Sequence, residues 1–149
     1  MKSEPLSTPH ILLVDDNRDG LIVRRSLLEE LGYEVVVAGN GEEGLKLYAG
    51  AHFDVVVTDF RMPRMNGMEL IKGIRKIDPR ARVILLSGFV EPLALTEEST
   101  GADVVIAKSC NEPVRLVRSI KRLVNATTAR KPPASQKNSP AGGRATTAR

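Results

Sequence analysis

Four apolar stretches of this chain each run into a polar residue capable of chemistry. Ile11-Leu-Leu-Val14 leads into Asp15-Asp16, and Val55-Val-Val57 leads through Thr58 into Asp59. Val83-Ile-Leu-Leu86 ends at Ser87, and Val104-Val-Ile-Ala107 ends at Lys108. Singly, each has an ordinary explanation: an aspartate after a strand forms turns, and Asp16 or Asn17 can cap a helix. Ser87 before Gly88 suits a turn, and Lys108 suits a solvated loop. Together, at one edge of one sheet, they make a site. Carboxylates so close resist full ionisation unless a cation joins them. Magnesium favours one or two carboxylates, with waters and phosphate oxygens completing its shell. His10 and His52 lack zinc-ligand spacing. The set therefore suits a magnesium ion and a phosphoryl group, with Lys108 supplying positive charge and Ser87 a hydrogen bond.

For those groups to meet, the apolar runs must be parallel strands. Ile11–Val14, Tyr33–Ala38, Val55–Val57, Val83–Leu86 and Val104–Ala107 read as strands, separated by segments of helical spacing. Val23, Leu27 and Leu31 mark the first helix, stopped by Gly32. Gly41–Ala49 is a second, and Leu70, Ile74 and Ile77 mark a third, ended by Asp78-Pro79. Glu91–Thr100 is the fourth helical segment, with Pro92 near its start and few apolar anchors. Pro113 opens the last helix, with Val117, Ile120 and Val124 as its expected buried side. Such alternation predicts an α/β fold: a doubly wound, five-stranded parallel sheet of order 2-1-3-4-5 covered on both faces. Ligands there bind beyond the carboxyl ends of the strands, where the strand order reverses.

Composition bounds the rest. The 149 residues are 42% hydrophobic and 27% charged, with one cysteine, Cys110, and no apolar run long enough to cross a membrane. A cytoplasmic chain without disulfides or membrane insertion is expected. The net charge of +4 suggests nucleic-acid binding, yet residues 126–149 hold five bases and no acid. Removing those five leaves 17 bases against 18 acids. Residues 1–9 read as an N-terminal extension, 10–125 as the domain, and 126–149 as a basic, low-complexity, disordered tail. ATTAR recurs at both ends of that tail, too few copies for a repeat architecture.

These residues resemble the response-regulator receiver family of two-component signalling, a CheY-like, flavodoxin-like fold. The resemblance runs from about His10 to Asn125. It rests on Asp15-Asp16, on Asp59-Phe-Arg-Met-Pro-Arg-Met-Asn-Gly67 as the stretch D-x-x-M-P-x-M-[DN]-G, and on Ser87 and Lys108 in their places. It implies that Asp59 accepts a phosphoryl group from a sensor histidine kinase or a histidine phosphotransfer protein. Asp16, Asp59 and the backbone carbonyl of Arg61 would hold Mg2+, with Asp15 acting through water. Lys108 would pair with the phosphoryl group and Ser87 would swing toward it. The implied protein is a stand-alone regulator signalling through an unidentified downstream protein. It is a phosphoacceptor catalysing its own phosphorylation and dephosphorylation, not a conventional enzyme.

Two positions depart from the family pattern. Ser109 follows Lys108 where proline is usual, often after a cis peptide, and Val105 replaces the aromatic three residues before the lysine. A cis bond without proline costs about 2.5–4 kcal/mol, so the loop is expected to be trans and rearranged, or strained. These departures support the alternative of a phosphorylation-silent pseudo-receiver acting as an interaction module; the intact site residues oppose it. A haloacid-dehalogenase-type phosphatase needs a second Asp where Arg61 stands. A flavodoxin-like cofactor binder conflicts with Asp15-Asp16-Asn17. DNA binding is disfavoured, because the tail is short, irregular and without aromatics.

Overall fold

A computed structural model describes residues 8–88, 95–109 and 111–130, the last four in backbone alone. Among the described residues, five strands and five helices alternate: β1 (His10–Val14), α1 (Arg18–Glu30), β2 (Glu34–Ala38), α2 (Gly41–Gly50), β3 (Val55–Asp59), α3 (Gly67–Ile77), β4 (Val83–Ser87), α4 (Glu97–Thr100), β5 (Val104–Ala107) and α5 (Glu112–Arg130). All paired strands are parallel, and the sheet order is β2-β1-β3-β4-β5, as the alternation requires.

Unbroken apolar runs make the central strands. Every residue of β3 and β4 is buried, as is β1 beyond His10, whereas edge strand β2 leaves Val36 exposed. One sheet face packs Leu12, Val56 and Leu85 against Tyr48 of α2 and Leu70, Ile71 and Ile74 of α3. The other packs Ile11, Val57 and Ile84 against Leu21 and Leu28 of α1 and Leu116, Ile120 and Leu123 of α5. Full burial of one such side chain contributes about 1.5–3 kcal/mol.

Helix α1 turns a different face inward from the one expected, and α5 buries residues beside as well as on its expected side. In α1 the inward residues are Leu21 and Leu28; Val23 is 65% exposed and Leu31 is also exposed. The expected stripe lies beside the buried one: Leu27 is half-buried and, with Leu31, lines a groove shared with Pro113, Val114 and Val117 of α5. In α5 the buried residues are Leu116, Ile120 and Leu123, with Val117 and Val124 half-buried beside them. That helix continues through Ala126 to Arg130, across the boundary expected at Asn125. No proline or glycine interrupts it before Pro132. Of the helix expected over Glu91–Thr100, the described part forms only the short α4, capped by Thr96; residues 91–94 lie outside the described residues. So do residues 1–7 and 131–149, which hold most of the expected extension and tail.

Candidate functional site

Each predicted site residue stands at or just beyond the carboxyl end of its strand. Asp59 is the last residue of β3 and Ser87 the last of β4; Asp15 follows β1 directly and Lys108 follows β5 directly. Backbone bonds fix these ends. Asp15 N–H donates to Ala38 O at 3.1 Å, Phe60 N–H to Leu86 O at 2.9 Å, and Lys108 N–H to Ser87 O at 3.0 Å. The register pairs Asp59 with Leu86 and Ser87 with Ala107, so the two functional strand ends are offset by one residue.

One carboxylate oxygen from each of Asp15, Asp16 and Asp59 lies within 4.8 Å of the others. Asp15 and Asp59 are buried and Asp16 is exposed, so the cluster opens toward solvent through Asp16. Asp16 also lines a cavity of about 400 Å³ with Phe60, Arg61, Met62, Pro63 and Asn66. Lys108 pairs with Asp59, its Nζ 2.5 Å from Oδ1. Burial pushes the Asp59 carboxyl above the usual aspartate range. The hydrogen bond from Lys108 draws it down, and the charges of Asp15 and Asp16 raise it again. Three hard oxygen donors crowded at a solvent-open edge fit a hydrated divalent cation, which would relieve that repulsion.

The turn after Asp59 is shaped for close packing. Gly67 N–H donates to Phe60 O at 2.8 Å, and a Cβ on Gly67 would come within 2.6 Å of both the Asp59 carbonyl and Leu85 Cδ1. Only glycine fits where α3 starts against the acceptor strand. Asn66 and Glu69 close a reciprocal capping box there, each side chain accepting the other residue's N–H at 2.9 Å.

Ser109 makes the contacts that lead into α5. No cis peptide occurs among the described residues, so the Lys108–Ser109 bond is trans. Ser109 O accepts from Glu112 N–H at 3.0 Å, and its Oγ accepts from Asn111 N–H at 3.3 Å, which closes the turn into α5. Val105 is half-buried, and its N–H donates to Glu97 Oε2 of α4 at 3.0 Å.

Sequence reasoning missed Arg24. Its Nη1 donates to Asp15 Oδ2 at 3.1 Å, while Nε and Nη2 donate to the two oxygens of Glu112, each at 2.9 Å. The signal was present: Arg24 shares a stripe with Leu21 and Leu28, and Glu112 shares one with Leu116 and Ile120. Opposite charges on two inward stripes imply that the stripes meet.

The model of the response regulator receiver domain matches residues 11–121, most of the chain. The chain belongs to this family. The receiver is 34% identical to the chemotaxis protein CheY of Thermotoga maritima over 115 residues, 76% of this chain and 95% of that protein. A response regulator receiver protein of Anaeromyxobacter is 43% identical over 84 residues, 56% of this chain but 35% of the relative. Virulence sensor protein BvgS of Bordetella bronchiseptica is 34% identical over 159 aligned positions, 98% of this chain and 12% of that protein. The receiver thus spans only a minor part of these last two relatives. Among solved structures, a CheY-like receiver from Methanospirillum hungatei superposes with a TM-score of 0.76 at 30% identity, covering 83% of this chain and 99% of that one. Response regulator TrrA of Thermotoga maritima, solved with Mg2+ and BeF, gives a TM-score of 0.71 at 34% identity over 78% of this chain and 99% of that one. Receivers are signalling regulators of two-component systems. Among the described residues no helix is long and apolar enough to cross a membrane.

Proposed function

We propose that this receiver accepts a phosphoryl group on Asp59 from a phosphohistidine of a sensor histidine kinase or phosphotransfer protein, in a magnesium-dependent reaction. One observation carries the reading: the buried Asp59 carboxylate is clustered with two further carboxylates and paired with the ammonium of Lys108. The family resemblance and the relative solved with Mg2+ and BeF support it.

In this reading an oxygen of Asp59 attacks phosphorus as the bond to the donor's imidazole nitrogen breaks, and the leaving imidazole takes a proton from solvent. Asp16, Asp59 and the carbonyl of Arg61 would hold the ion directly, with Asp15 through water. The ion supplies charge neutralisation for the phosphoryl oxygens. Lys108 exchanges its pairing with Asp59 for a phosphoryl oxygen. The hydroxyl of Ser87 donates to the same group. The protein's contribution is position and charge, which is most of what phosphoryl transfer requires. The product is the receiver's own acyl phosphate; water attacking its phosphorus breaks the bond to the Asp59 oxygen, releases inorganic phosphate and restores the carboxylate. The message then passes to a downstream protein.

The test is intact mass after incubation with Mg2+ and a small acyl-phosphate donor, beside Asp59→Asn. Uptake requiring both Mg2+ and Asp59 is expected. A folded protein that takes no label from this donor or from histidine kinases would instead be a phosphorylation-silent interaction module.

A further inference from the structure

The buried pairing of Arg24 has no part in the reaction derived above. It lies inside the molecule: the side chains of Arg24, Asp15 and Glu112 are 13%, 4% and 10% exposed. Two parallel hydrogen bonds to Glu112 lock the guanidinium plane, and the remaining arm reaches Asp15 Oδ2. The other oxygen of Asp15 accepts the Asn17 N–H at 3.0 Å. Asp15 is therefore held by a fixed donor at each oxygen, while Asp16 is exposed.

A glycine in α1 makes room for this arrangement. A Cβ on Gly20 would lie 2.9 Å from Arg24 Nη1 and 3.3 Å from Asp15 Oδ2. Glycine inside a helix costs about 1 kcal/mol relative to alanine. Here it admits a guanidinium that Glu112 prevents from moving aside.

We propose that Arg24 is a positioning residue that sets the cation preference of the acidic site. By holding Asp15 on a guanidinium, it keeps that carboxylate from closing on the ion. The site is left with two directly available carboxylates and room for water. That suits a small cation that keeps its waters, whereas calcium gathers more protein oxygens at longer distances. The inference rests on the reading of the Asp15, Asp16 and Asp59 cluster as a magnesium site.

The test is calorimetric titration of the unphosphorylated full chain with Mg2+ and, separately, Ca2+. R24M/E112L replaces the buried pair with apolar side chains of similar size, removes one charge of each sign, and leaves Asp15 held only by the Asn17 N–H. The expected result is a shift of the Ca2+-to-Mg2+ affinity ratio toward Ca2+ by about fivefold or more, as a third carboxylate joins the larger ion. Gly20→Ala, whose Cβ would crowd Arg24 Nη1 first and Asp15 Oδ2 less closely, should shift the ratio the same way by a smaller factor, and it decides the matter if the double variant does not fold. An unchanged ratio in a folded variant overturns the proposal and leaves the magnesium site standing, with Arg24 reduced to a tie between α1 and α5. Wild-type protein that binds neither cation overturns the site reading and this inference together.

Discussion

The Nζ of Lys108 lies 2.5 Å from Oδ1 of Asp59, so the ammonium of one loop neutralises the carboxylate at the end of the central strand. Both Lys108 and a divalent cation would draw on the same carboxylate. Replacing Lys108 by alanine is therefore expected to preserve Mg2+ binding, or tighten it, while slowing phosphoryl uptake. Loss of one aimed positive donor slows such a reaction on the order of a hundredfold. Mg2+ titration and single-turnover labelling separate the two effects. Uptake at the wild-type rate would remove Lys108 from the chemistry.

Burial and two neighbouring carboxylates hold the Asp59 carboxyl above its usual range in the folded protein despite Lys108. The sign follows from linkage. A group whose folded pKa is raised favours the fold while protonated, and that advantage is lost as pH rises through the folded value. At neutral pH the charge of Asp59 opposes folding. Asp59→Asn should raise the melting midpoint at neutral pH by a few degrees, and the gain should fade below the ordinary aspartate pKa. Midpoints measured across pH without added divalent cation test this, and a variant less stable than wild type at neutral pH contradicts it.

Gly67 faces two atoms that cannot both yield, the Asp59 carbonyl and Leu85 Cδ1, each 2.6 Å from a hypothetical Cβ. Gly67→Ala should cost about 1–3 kcal/mol in denaturant unfolding, the usual range for overpacking. Because one of those atoms belongs to Asp59, phosphoryl uptake should slow as well. A loss below half a kilocalorie, by the same overpacking argument, would show that the start of α3 shifts freely.

Burial, with the charge and hydrogen bond of Asp78, pushes the Tyr48 hydroxyl up to about 12; its OH donates to Asp78 Oδ2 at 3.3 Å. This raised folded value stabilises the protein fully below the ordinary tyrosine pKa near 10. That contribution is lost as pH climbs through about 12. Tyrosinate absorbance should therefore show a late step that Tyr48→Phe abolishes. A titration in which Tyr48 ionises near its ordinary value would place it in solvent.

The architecture was legible in the chain because β1, β3 and β4 are continuous apolar runs, and only a sheet covered on both faces buries such runs. The polar residue closing each run then located Asp15, Asp59, Ser87 and Lys108 at one edge, and parallel pairing brought the edge together. The faces of α1 and α5 were less legible. Val23, Leu27 and Leu31 are as apolar as Leu21 and Leu28, and periodicity alone does not say which stripe a sheet will cover.

Residue type and order by themselves determined the fold class, the positions of the acidic, hydroxyl and basic groups, and the departures at Val105 and Ser109. Those properties are local, carried by strand-length runs and the residues that end them. Only the tertiary structure decided that Arg24 of α1 reaches both Asp15 and Glu112, eighty-eight positions away from the latter, and that Gly20 must be small to allow it. A long-range ion pair depends on how two helices are rotated against a shared sheet. That rotation is set by packing summed over the whole core, which no single stretch of sequence records.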